Sequence, residues 1–336
     1  MKTLLVTGGA GFIGSNLVRM LASNETYRVV VLDALTYAGN IENIKDLVDS
    51  GSVGFVHGSI TNEELVRSTL ASTEFDAILH LAAESHVDRS IQSATPFIET
   101  NVVGTLVLLE AARAAGVRRF VHISTDEVYG TLGPNDPAFT EETPLQPNSP
   151  YSASKASSDM LVRSFVHTHG MDAVVTRCSN NYGPYQFPEK FIPLMTLNAI
   201  EGRGLPVYGD GLQIRDWLHV EDHCRGIMLA YEQGVSGQVY NFGGFGEEQN
   251  IVVARAILAH TGRDESLLTY VADRPGHDRR YAINPRKVQH ELGWKPQWTF
   301  EQGLQATVEW YRTNKAWSDN VRSGEYRQYY QQQYEQ

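Results

Sequence analysis

The chain has 336 residues, enough for about two domains or one large α/β unit with a full hydrophobic core. Hydrophobic residues make up 42% and charged residues 20% of the chain, which excludes a disordered or fibrous protein. The net charge of −11 repels phosphate backbones and anionic lipids, so we expect neither a nucleic acid nor a membrane surface as a partner.

Cysteine content and apolar runs indicate where the protein works. Two cysteines, Cys178 and Cys224, are too few for a disulfide framework and favour a reducing, cytoplasmic compartment. The apolar run Leu4–Val6 is too short for a secretory leader and predicts a buried strand instead. No stretch approaches the roughly 18 to 20 apolar residues of a membrane helix, so we expect a soluble protein.

Short β-rich runs alternate with longer helical stretches in the first half, a pattern typical of βαβ units. We therefore predict an α/β fold with a doubly wound parallel (Rossmann) sheet and a smaller C-terminal substrate-binding lobe. The strands predicted here are Lys2–Thr7, Arg28–Asp33, Val53–His57, Ala77–Leu81, Arg119–Ser124 and Asp172–Arg177. Thr61 and Glu64 have the spacing of a helix capping box.

Clusters of Asn, Gly and Pro after Arg177 predict a second half built from loops and small elements. A helix at Val220–Gln233 and a strand at Gln238–Phe242 predict that the chain returns to the main sheet. We therefore expect discontinuous domains. Residues 1–177 with 217–242 would bind a dinucleotide, and residues 178–216 with 243–336 would bind the substrate.

The first predicted strand runs into a glycine-rich turn, GGAGFIG at residues 8–14, which precedes a helical stretch. Glycines let the backbone approach a pyrophosphate, and the helix offers free N–H groups and its positive dipole end. The alternative is an ordinary tight connection between a strand and a helix. Asp33, at the end of the second strand, can accept both hydroxyl protons of an adenosine ribose, and no basic residue follows it. The pattern therefore predicts a dinucleotide site and favours NAD over NADP.

Two adjacent acids, Asp126 and Glu127, follow the fifth predicted strand, at the sheet edge where open α/β folds bind ligands. Neighbouring side chains on a strand point to opposite faces, so these two share a cleft only if the backbone has left the strand. Gly130 indicates a nearby turn. Two acids in one cleft can have their pKa values pushed apart, leaving one as proton donor and the other as base. Elimination of water needs that division, whereas the alternative is a pair of solvated loop acids.

Tyr151 and Lys155 form a Tyr-x-x-x-Lys pair on a helix that begins near Ser149 and Pro150. The spacing places both side chains on one face, where the ammonium group can favour a tyrosinate. Such a phenol is a suitable base for a sugar hydroxyl whose carbon gives up a hydride. An exposed Tyr/Lys pair is the alternative.

Several segments together resemble the extended short-chain dehydrogenase/reductase family, from residue 1 to about residue 310. The segments are TGGAGFIG, HLAAESHVDRSI, STDEVYG, YSASK, NNYGP and GDGLQIRDWLHVEDH. Within the family they are similar to the sugar-nucleotide 4,6-dehydratases, because related epimerases usually lack the Asp-Glu pair of STDEVYG. The resemblance implies NAD-dependent dehydration of a nucleoside diphosphate glucose, with dTDP-glucose expected, to a 4-keto-6-deoxy sugar nucleotide.

The resemblance also implies the residue roles. Tyr151 would take the proton of the sugar 4-hydroxyl while C4 passes a hydride to NAD⁺, and Thr125 would hydrogen-bond the same oxygen. Glu127 would then remove the C5 proton while Asp126 protonates the departing 6-hydroxyl, before the hydride returns to C6. Lys155 would hold the nicotinamide ribose and lower the pKa of Tyr151.

Further binding residues follow from the same resemblance. The cofactor-binding set is Gly8, Gly11, Phe12, Ile13, Gly14, Asp33, Ser59, Ile60, Ala82, Tyr151 and Lys155. The substrate-binding set is Ser85, Asn180, Lys190, Pro206, Tyr208, Arg215, Asn250, Arg274 and His277. Arg279 and Arg280 add basic charge of the kind expected near a pyrophosphate. A homodimer joined through helices near residues 95–115 and 150–168 is also implied.

Two segments depart from the family pattern, and other functions stay open. Ser59 stands where the family commonly has Asp near the adenine, and residues 245–249 differ before Asn250, which leaves the nucleotide base open between thymine and uracil. His219, His223 and Cys224 could suggest zinc, but they lie in a motif that the family uses without metal, so we expect none. The alternatives are a sugar-nucleotide 4-epimerase or decarboxylase, or a non-catalytic NAD-binding regulator.

Overall fold

The computed structural model describes residues 1–273 and 278–322. The strands within these residues are β1 (Lys2–Thr7), β2 (Tyr27–Asp33), β3 (Val53–His57), β4 (Ala77–His80), β5 (Arg119–Thr125), β6 (Ala173–Cys178), β7 (Asn180–Tyr182), β8 (Leu205–Tyr208), β9 (Ile214–His219), β10 (Val239–Phe242), β11 (Glu247–Gln249) and β12 (Leu268–Val271). The α-helices are α1 (Phe12–Ala22), α2 (Lys45–Asp49), α3 (Glu63–Ala71), α4 (Val87–Gln92), α5 (Thr95–Phe97), α6 (Thr105–Ala115), α7 (Pro150–His169), α8 (Phe191–Glu201), α9 (Val220–Gln233), α10 (Asn250–Thr261), α11 (Arg286–Leu292), α12 (Phe300–Thr313) and α13 (Lys315–Val321). A π-helix spans Ile98–Gly104, and 3₁₀ turns lie at Ile41–Asn43, Asp126–Tyr129 and Glu265–Leu267.

A parallel sheet of seven strands, in the order β10-β6-β5-β4-β1-β2-β3, forms the centre of the molecule. Alternation along β1 places Leu4 and Val6 in one hydrophobic cluster, with residues of α1 and α9. Leu5 packs into the cluster on the other face, with residues of α3, α6 and α7. Both faces of the sheet are therefore covered by helices, which confirms the predicted doubly wound α/β fold.

The strand order reverses between β1 and β4, so the loops that follow these two strands diverge and open a cleft at the carboxyl edge. The six strands predicted in the first half are all present, with ends that differ from the prediction by at most one residue. β10 pairs in parallel with β6, so the chain returns from its second half to the main sheet as predicted.

The second half adds two small sheets, of order β11-β9-β7 and β12-β8. Residues of α8, α10 and α12 pack around Tyr182 and Trp217 in a separate hydrophobic cluster. Within residues 1–273 and 278–322, no helix combines the length and the apolar character needed to cross a membrane.

The predicted capping box at Thr61 is wrong. Helix α3 begins at Glu63, and the side chain of Asn62 accepts a hydrogen bond from the Leu65 N–H at 3.1 Å. The Thr61 hydroxyl instead lies 2.8 Å from the Ser59 hydroxyl. Asn is at least as good an N-cap as Thr, and here it occupies the position one residue later.

We predict that Gly226→Ala destabilises the protein, although alanine favours a helix interior by about 1 kcal/mol over glycine. A Cβ at Gly226 of α9 would lie 2.4 Å from Cε1 of Phe242 on β10, so the helix would have to move off the sheet. We expect urea denaturation to show a free energy of unfolding lower by about 1–3 kcal/mol. Ser68→Ala on exposed α3 is the control, and an unchanged or higher stability of Gly226→Ala contradicts the close packing.

Candidate active site

Gly8 and Gly14 allow a very close backbone approach at the first turn. Gly8 has a φ of +71°, and a Cβ there would lie 2.7 Å from the Ala82 nitrogen. A Cβ at Gly14 would lie 2.1 Å from the Gly8 carbonyl oxygen. Only glycine fits both positions, and the start of α1 is thereby brought to the cleft as a cradle for a pyrophosphate.

Asp33 is buried at the end of β2 and is held by two backbone groups. Its Oδ2 accepts from the Ala10 N–H at 2.9 Å and its Oδ1 from the Leu35 N–H at 2.8 Å. Burial raises the pKa of Asp33, and the two backbone hydrogen bonds partly offset this. Each oxygen keeps a further lone pair for a ribose hydroxyl. The glycine cradle and Asp33 therefore fit NAD.

One cleft, of about 310 Å³, is lined by all the expected cofactor-binding and catalytic residues. These are Gly8, Gly11, Phe12, Ile13, Gly14, Asp33, Ser59, Ile60, Ala82, Thr125, Asp126, Glu127, Tyr151 and Lys155. Three expected substrate-binding residues, Ser85, Asn180 and Lys190, line it as well. The fold thus brings most of the residues singled out in the sequence to one place.

Asp126 and Glu127 share the cleft because the backbone leaves β5 directly after Thr125. Asp126–Tyr129 forms a 3₁₀ turn, and the Thr125 hydroxyl caps it by accepting from the Glu127 N–H at 3.3 Å. Neighbouring side chains can share a cleft only where the backbone has left the strand, and this is so here, because both acids lie in the turn and both line the cleft.

Asp126 is the more deeply buried of the two acids of the turn. It is 2% exposed, and its Oδ2 has no hydrogen-bond partner among the described residues. Burial raises its pKa well above the ordinary value, and the charges of Glu127 and Asp216 raise it further. The raised pKa favours the protonated carboxyl, which suits Asp126 to serve as a proton donor.

Tyr151 and Lys155 lie on α7, which begins at Pro150 with Ser149 as its N-cap, as predicted. The expected lowering of the Tyr151 pKa by Lys155 is wrong for this arrangement. Burial raises the pKa of Tyr151 well above its ordinary value, Glu127 adds to this, and a hydrogen bond with Thr125 opposes it. The Lys155 ammonium instead donates to the Ile123 carbonyl at 2.8 Å, and burial lowers its own pKa to about 8.

Four of the expected substrate-binding residues do not line the cleft. Pro206 and Tyr208 lie on β8, Arg215 lies on β9, and Asn250 begins α10. The other two, Arg274 and His277, fall outside the described residues.

The basic residues of this region are engaged within the protein. The Arg215 guanidinium donates to the carbonyls of Ile214 and Asp278, at 2.8 and 2.9 Å. Arg279 pairs with Asp210 at 2.9 Å, and Arg280 pairs with Glu247 at 2.7 Å. Each of these two arginines thus pairs with a carboxylate, and their contribution of charge to a pyrophosphate stays a prediction.

The histidines that could suggest a metal have other contacts. His223 Nδ1 lies 2.9 Å from Asn181 Oδ1, and the His219 ring packs 4.5 Å, centre to centre, from the Trp298 ring. Cys224 is buried, and its thiol faces the Ile13 carbonyl. Across the described part of the chain, no three His, Cys, Asp or Glu side chains are grouped so that they could hold a metal ion.

Some residues that line the cleft were not singled out in the sequence. They include Thr36, Thr100, Asn181, Gln186, Phe187 and Glu189. Glu189 is buried, with His86 Nε2 and Arg89 Nε at 3.6 and 3.7 Å from its carboxylate, and burial raises its pKa to about 7. Its place directly before Lys190 was the one signal that could have drawn attention to it.

The cleft combines a dinucleotide cradle with two adjacent acids, a tyrosine and a lysine, which is the site of an NAD-dependent enzyme on a Rossmann fold. The chain belongs to the GDP-mannose 4,6 dehydratase family, whose model matches residues 5–307.

Individual relatives are more specific. The chain is 53% identical to a dTDP-glucose 4,6-dehydratase of Neisseria meningitidis serogroup B, over 97% of this chain and 98% of that protein. It is 52% identical to dTDP-glucose 4,6-dehydratase 1 of Escherichia coli K12, over 99% of each chain. Among solved structures, the dTDP-glucose 4,6-dehydratase DesIV of Streptomyces venezuelae, with NAD and dTDP bound, superposes with a TM-score of 0.92. That structure is 49% identical, over 95% of this chain and 99% of DesIV.

We predict that Asp126→Asn stabilises the protein at neutral pH while it removes the proton donor. The raised pKa means that the folded state keeps a proton that the unfolded carboxyl releases, so stability is lost as pH rises above the ordinary Asp value. Asparagine does not ionise, so the variant does not lose stability as the pH rises. We expect the Tm of the variant to exceed that of the wild type by about 2 °C or more near neutral pH, and the difference to vanish in acid.

The exposed acid Glu64, changed to Gln, is the control and should leave the Tm unchanged at both pH values. Equal Tm values for Asp126→Asn and the wild type at neutral pH would show that Asp126 is ionised in the folded protein.

Proposed function

We propose that this chain catalyses the NAD-dependent dehydration of dTDP-glucose to the 4-keto-6-deoxy sugar nucleotide. The observation that carries the proposal is the turn after β5, where Asp126, buried and with a raised pKa, lies beside Glu127 in the dinucleotide cleft. Relatives about half identical over nearly the full chain are dTDP-glucose 4,6-dehydratases.

NAD, held by the glycine cradle and Asp33, supplies a hydride acceptor for C4, a positive charge that favours the Tyr151 phenolate, and later a hydride donor for C6. Tyr151 takes the proton of the sugar 4-hydroxyl, and the hydrogen bond with Thr125 favours the phenolate that this requires. Lys155, whose ammonium donates to the Ile123 carbonyl near the end of β5, would hold the nicotinamide ribose.

The two acids then divide the elimination between them. The 4-ketone acidifies the C5 proton, and Glu127 removes it. Asp126 donates its proton to the 6-hydroxyl, the C6–O bond breaks, and water leaves. Burial suits Asp126 to this role, because a raised pKa favours the protonated carboxyl that a proton donor needs.

Ser85, Asn180 and Lys190 are proposed to contact the sugar and its diphosphate, because they line the same cleft. The Lys190 ammonium donates to the Ser85 carbonyl at 2.9 Å, so two of these residues are held together. Pro206, Tyr208, Arg215 and Asn250 are proposed to form the outer, nucleoside end of the site in the second half of the chain.

We propose that residues 1–177 with 217–242 form the NAD-binding unit, and that 178–216 with 243–336 form the sugar-nucleotide-binding unit. The return of β10 to the main sheet supports this division. A cytoplasmic location is also proposed, because Cys178 and Cys224 are both buried free thiols, which suit a reducing compartment.

A homodimer is proposed from an apolar surface on neighbouring helices. Large hydrophobic side chains are between 45% and 47% exposed at Ile91, Ile98, Val103 and Met160. They lie on α4, the π-helix and α7, and α7 contacts each of the other two. Exposed apolar groups on adjacent helices suit a four-helix contact between two copies.

We predict that the purified protein converts dTDP-glucose to a product that has lost its 6-hydroxyl, and that Glu127→Gln blocks this step. The amide cannot accept the C5 proton, so we expect kcat to fall by about 10²–10⁴-fold. Mass spectrometry and NMR of the product follow the reaction, with exposed Glu142→Gln as the control. A product that keeps the 6-hydroxyl and is inverted at C4 would indicate a 4-epimerase instead. Faster turnover of UDP-glucose than of dTDP-glucose would contradict thymine as the preferred nucleotide base.

We predict a dimer of twice 37.4 kDa in size-exclusion chromatography with light scattering. Met160→Lys places a charge in the apolar surface, so we expect this variant to elute as a monomer at micromolar concentration. Val235→Lys changes an equally apolar, 57% exposed side chain elsewhere and should remain dimeric. A monomeric wild type, or a dimeric Met160→Lys, would contradict this interface.

A further inference from the structure

A buried group of polar side chains behind the acid turn has no part in the steps described so far. Arg177 of β6 and Asp159 of α7 are 4% and 1% exposed, and their Nε and Oδ2 atoms are 2.8 Å apart. Burying an ion pair costs desolvation energy, and such pairs are poor sources of stability. A role other than stability therefore has to be considered.

Arg177 also holds the last residue of the acid turn. Its Nη1 donates to the Tyr129 hydroxyl at 2.9 Å, and that hydroxyl donates to Asn241 Oδ1 at 2.9 Å. The Tyr129 ring lies between the guanidinium, 4.8 Å from its centre, and the Phe139 ring, 5.0 Å from its centre. Tyr129 is thus fixed by its hydroxyl and by its ring.

The position of Tyr129 determines the position of the two acids. It ends the 3₁₀ turn that starts with Asp126, so only three peptide bonds separate it from the proton donor. Gly130 follows with a φ of +93°, and a Cβ there would lie 2.5 Å from the Gln146 carbonyl oxygen. The turn has little room to shift at this end while Tyr129 stays in place.

The other end of the network lies on the helix that carries Tyr151 and Lys155. Asp159 follows Lys155 by four residues and Tyr151 by eight, so the three side chains share one face of α7. Arg177 joins Asp159 to Tyr129 and so connects the phenol and ammonium on one side with the two acids on the other.

The charge of each side chain in the network depends on its burial and on the groups next to it. Burial opposes ionisation of Asp159, but Arg177 outweighs this and lowers the pKa of Asp159 to about 2. His122 of β5, with Nε2 3.4 Å from Asp159, stays neutral because burial lowers its pKa to about 4. Asn241 of β10 is uncharged. One cation and one anion therefore hold the network together at neutral pH.

We propose that Tyr129, Arg177 and Asp159 are positioning residues that hold the acid turn in register with Tyr151 and Lys155. The inference rests on the proposed function. In that reaction one bound sugar must present C4 to Tyr151 and C5 and C6 to Glu127 and Asp126. If the acid turn is displaced from α7, the oxidation at C4 still proceeds but the elimination is slower.

The test is Tyr129→Phe, which keeps the ring against Phe139 and Arg177 and removes the hydroxyl. We expect kcat for product formation to fall about ten- to hundredfold, the cost of a small misplacement of reacting groups. KM should stay within about twofold, because substrate contacts are unchanged. Reduced nicotinamide, followed by its near-ultraviolet absorbance in a stopped-flow experiment, should build up in the variant because oxidation outruns elimination.

Tyr240→Phe is the matched control. Tyr240 precedes Asn241 on β10, is also buried, and loses the hydrogen bonds of its hydroxyl with the Val235 N–H and with Glu291. It should behave as the wild type does. If Tyr129→Phe fails to fold, Asn241→Ala is the second variant, because it removes the acceptor of the hydrogen bond that the Tyr129 hydroxyl donates. We expect the same fall in kcat and the same build-up of reduced nicotinamide.

A wild-type rate for Tyr129→Phe, or a slow rate without build-up of reduced nicotinamide, contradicts the inference alone. Failure of the wild type to form any dehydrated product contradicts the proposed function, and this inference with it.

Discussion

Asp126 lies buried beside Glu127 and near Asp216, and the negative charges of these two neighbours make its ionisation less favourable. Asp216 is held by the N–H groups of Gly244 and Gly246, and burial raises its pKa to about 6. Asp126 lacks comparable hydrogen bonds, and its raised pKa favours the protonated form. One position in the cleft is thereby reserved for a donor, while Glu127, which is less buried, can act as the base.

The fold supplies this arrangement through the ends of its strands. The sheet brings the glycine turn after β1, Asp33 after β2 and the acid turn after β5 to one edge. Helix α7 then crosses behind the acid turn and brings Tyr151 and Lys155 to the same cleft. The part of the site that oxidises C4 and the part that eliminates water must stay aligned, since the two steps act on neighbouring carbons of one sugar. The buried contacts from α7 through Arg177 to Tyr129 offer a physical reason why the two parts stay aligned.

Much of this could be predicted from the sequence, because the relevant signals are local. Apolar runs define the strands to within one residue, and the glycine spacing places the dinucleotide turn. The residues that follow strands gather at one edge in any parallel sheet. The spacing of Tyr151 and Lys155 is likewise a property of a single helix.

The rest depends on contacts between distant parts of the chain. The pKa of Tyr151 is set by burial and by Glu127, neither of which its helix reveals. The sequence shows Arg279 and Arg280 as two neighbouring basic residues but not their partners, Asp210 and Glu247, which are distant along the chain. Asn and Thr both suit the N-cap position, so the sequence does not distinguish Asn62 from Thr61. The packed helix begins after Asn62 and makes that residue the cap.

Infrared difference spectroscopy tests the central claim most directly, because it reports whether the Asp126 carboxyl carries a proton. The spectrum of the wild type minus that of Asp126→Asn, recorded at neutral pH, should contain the carbonyl stretch of a protonated carboxyl group. Only carboxylate bands in that difference would mean that Asp126 is ionised, and the division of roles between the two acids would then be wrong.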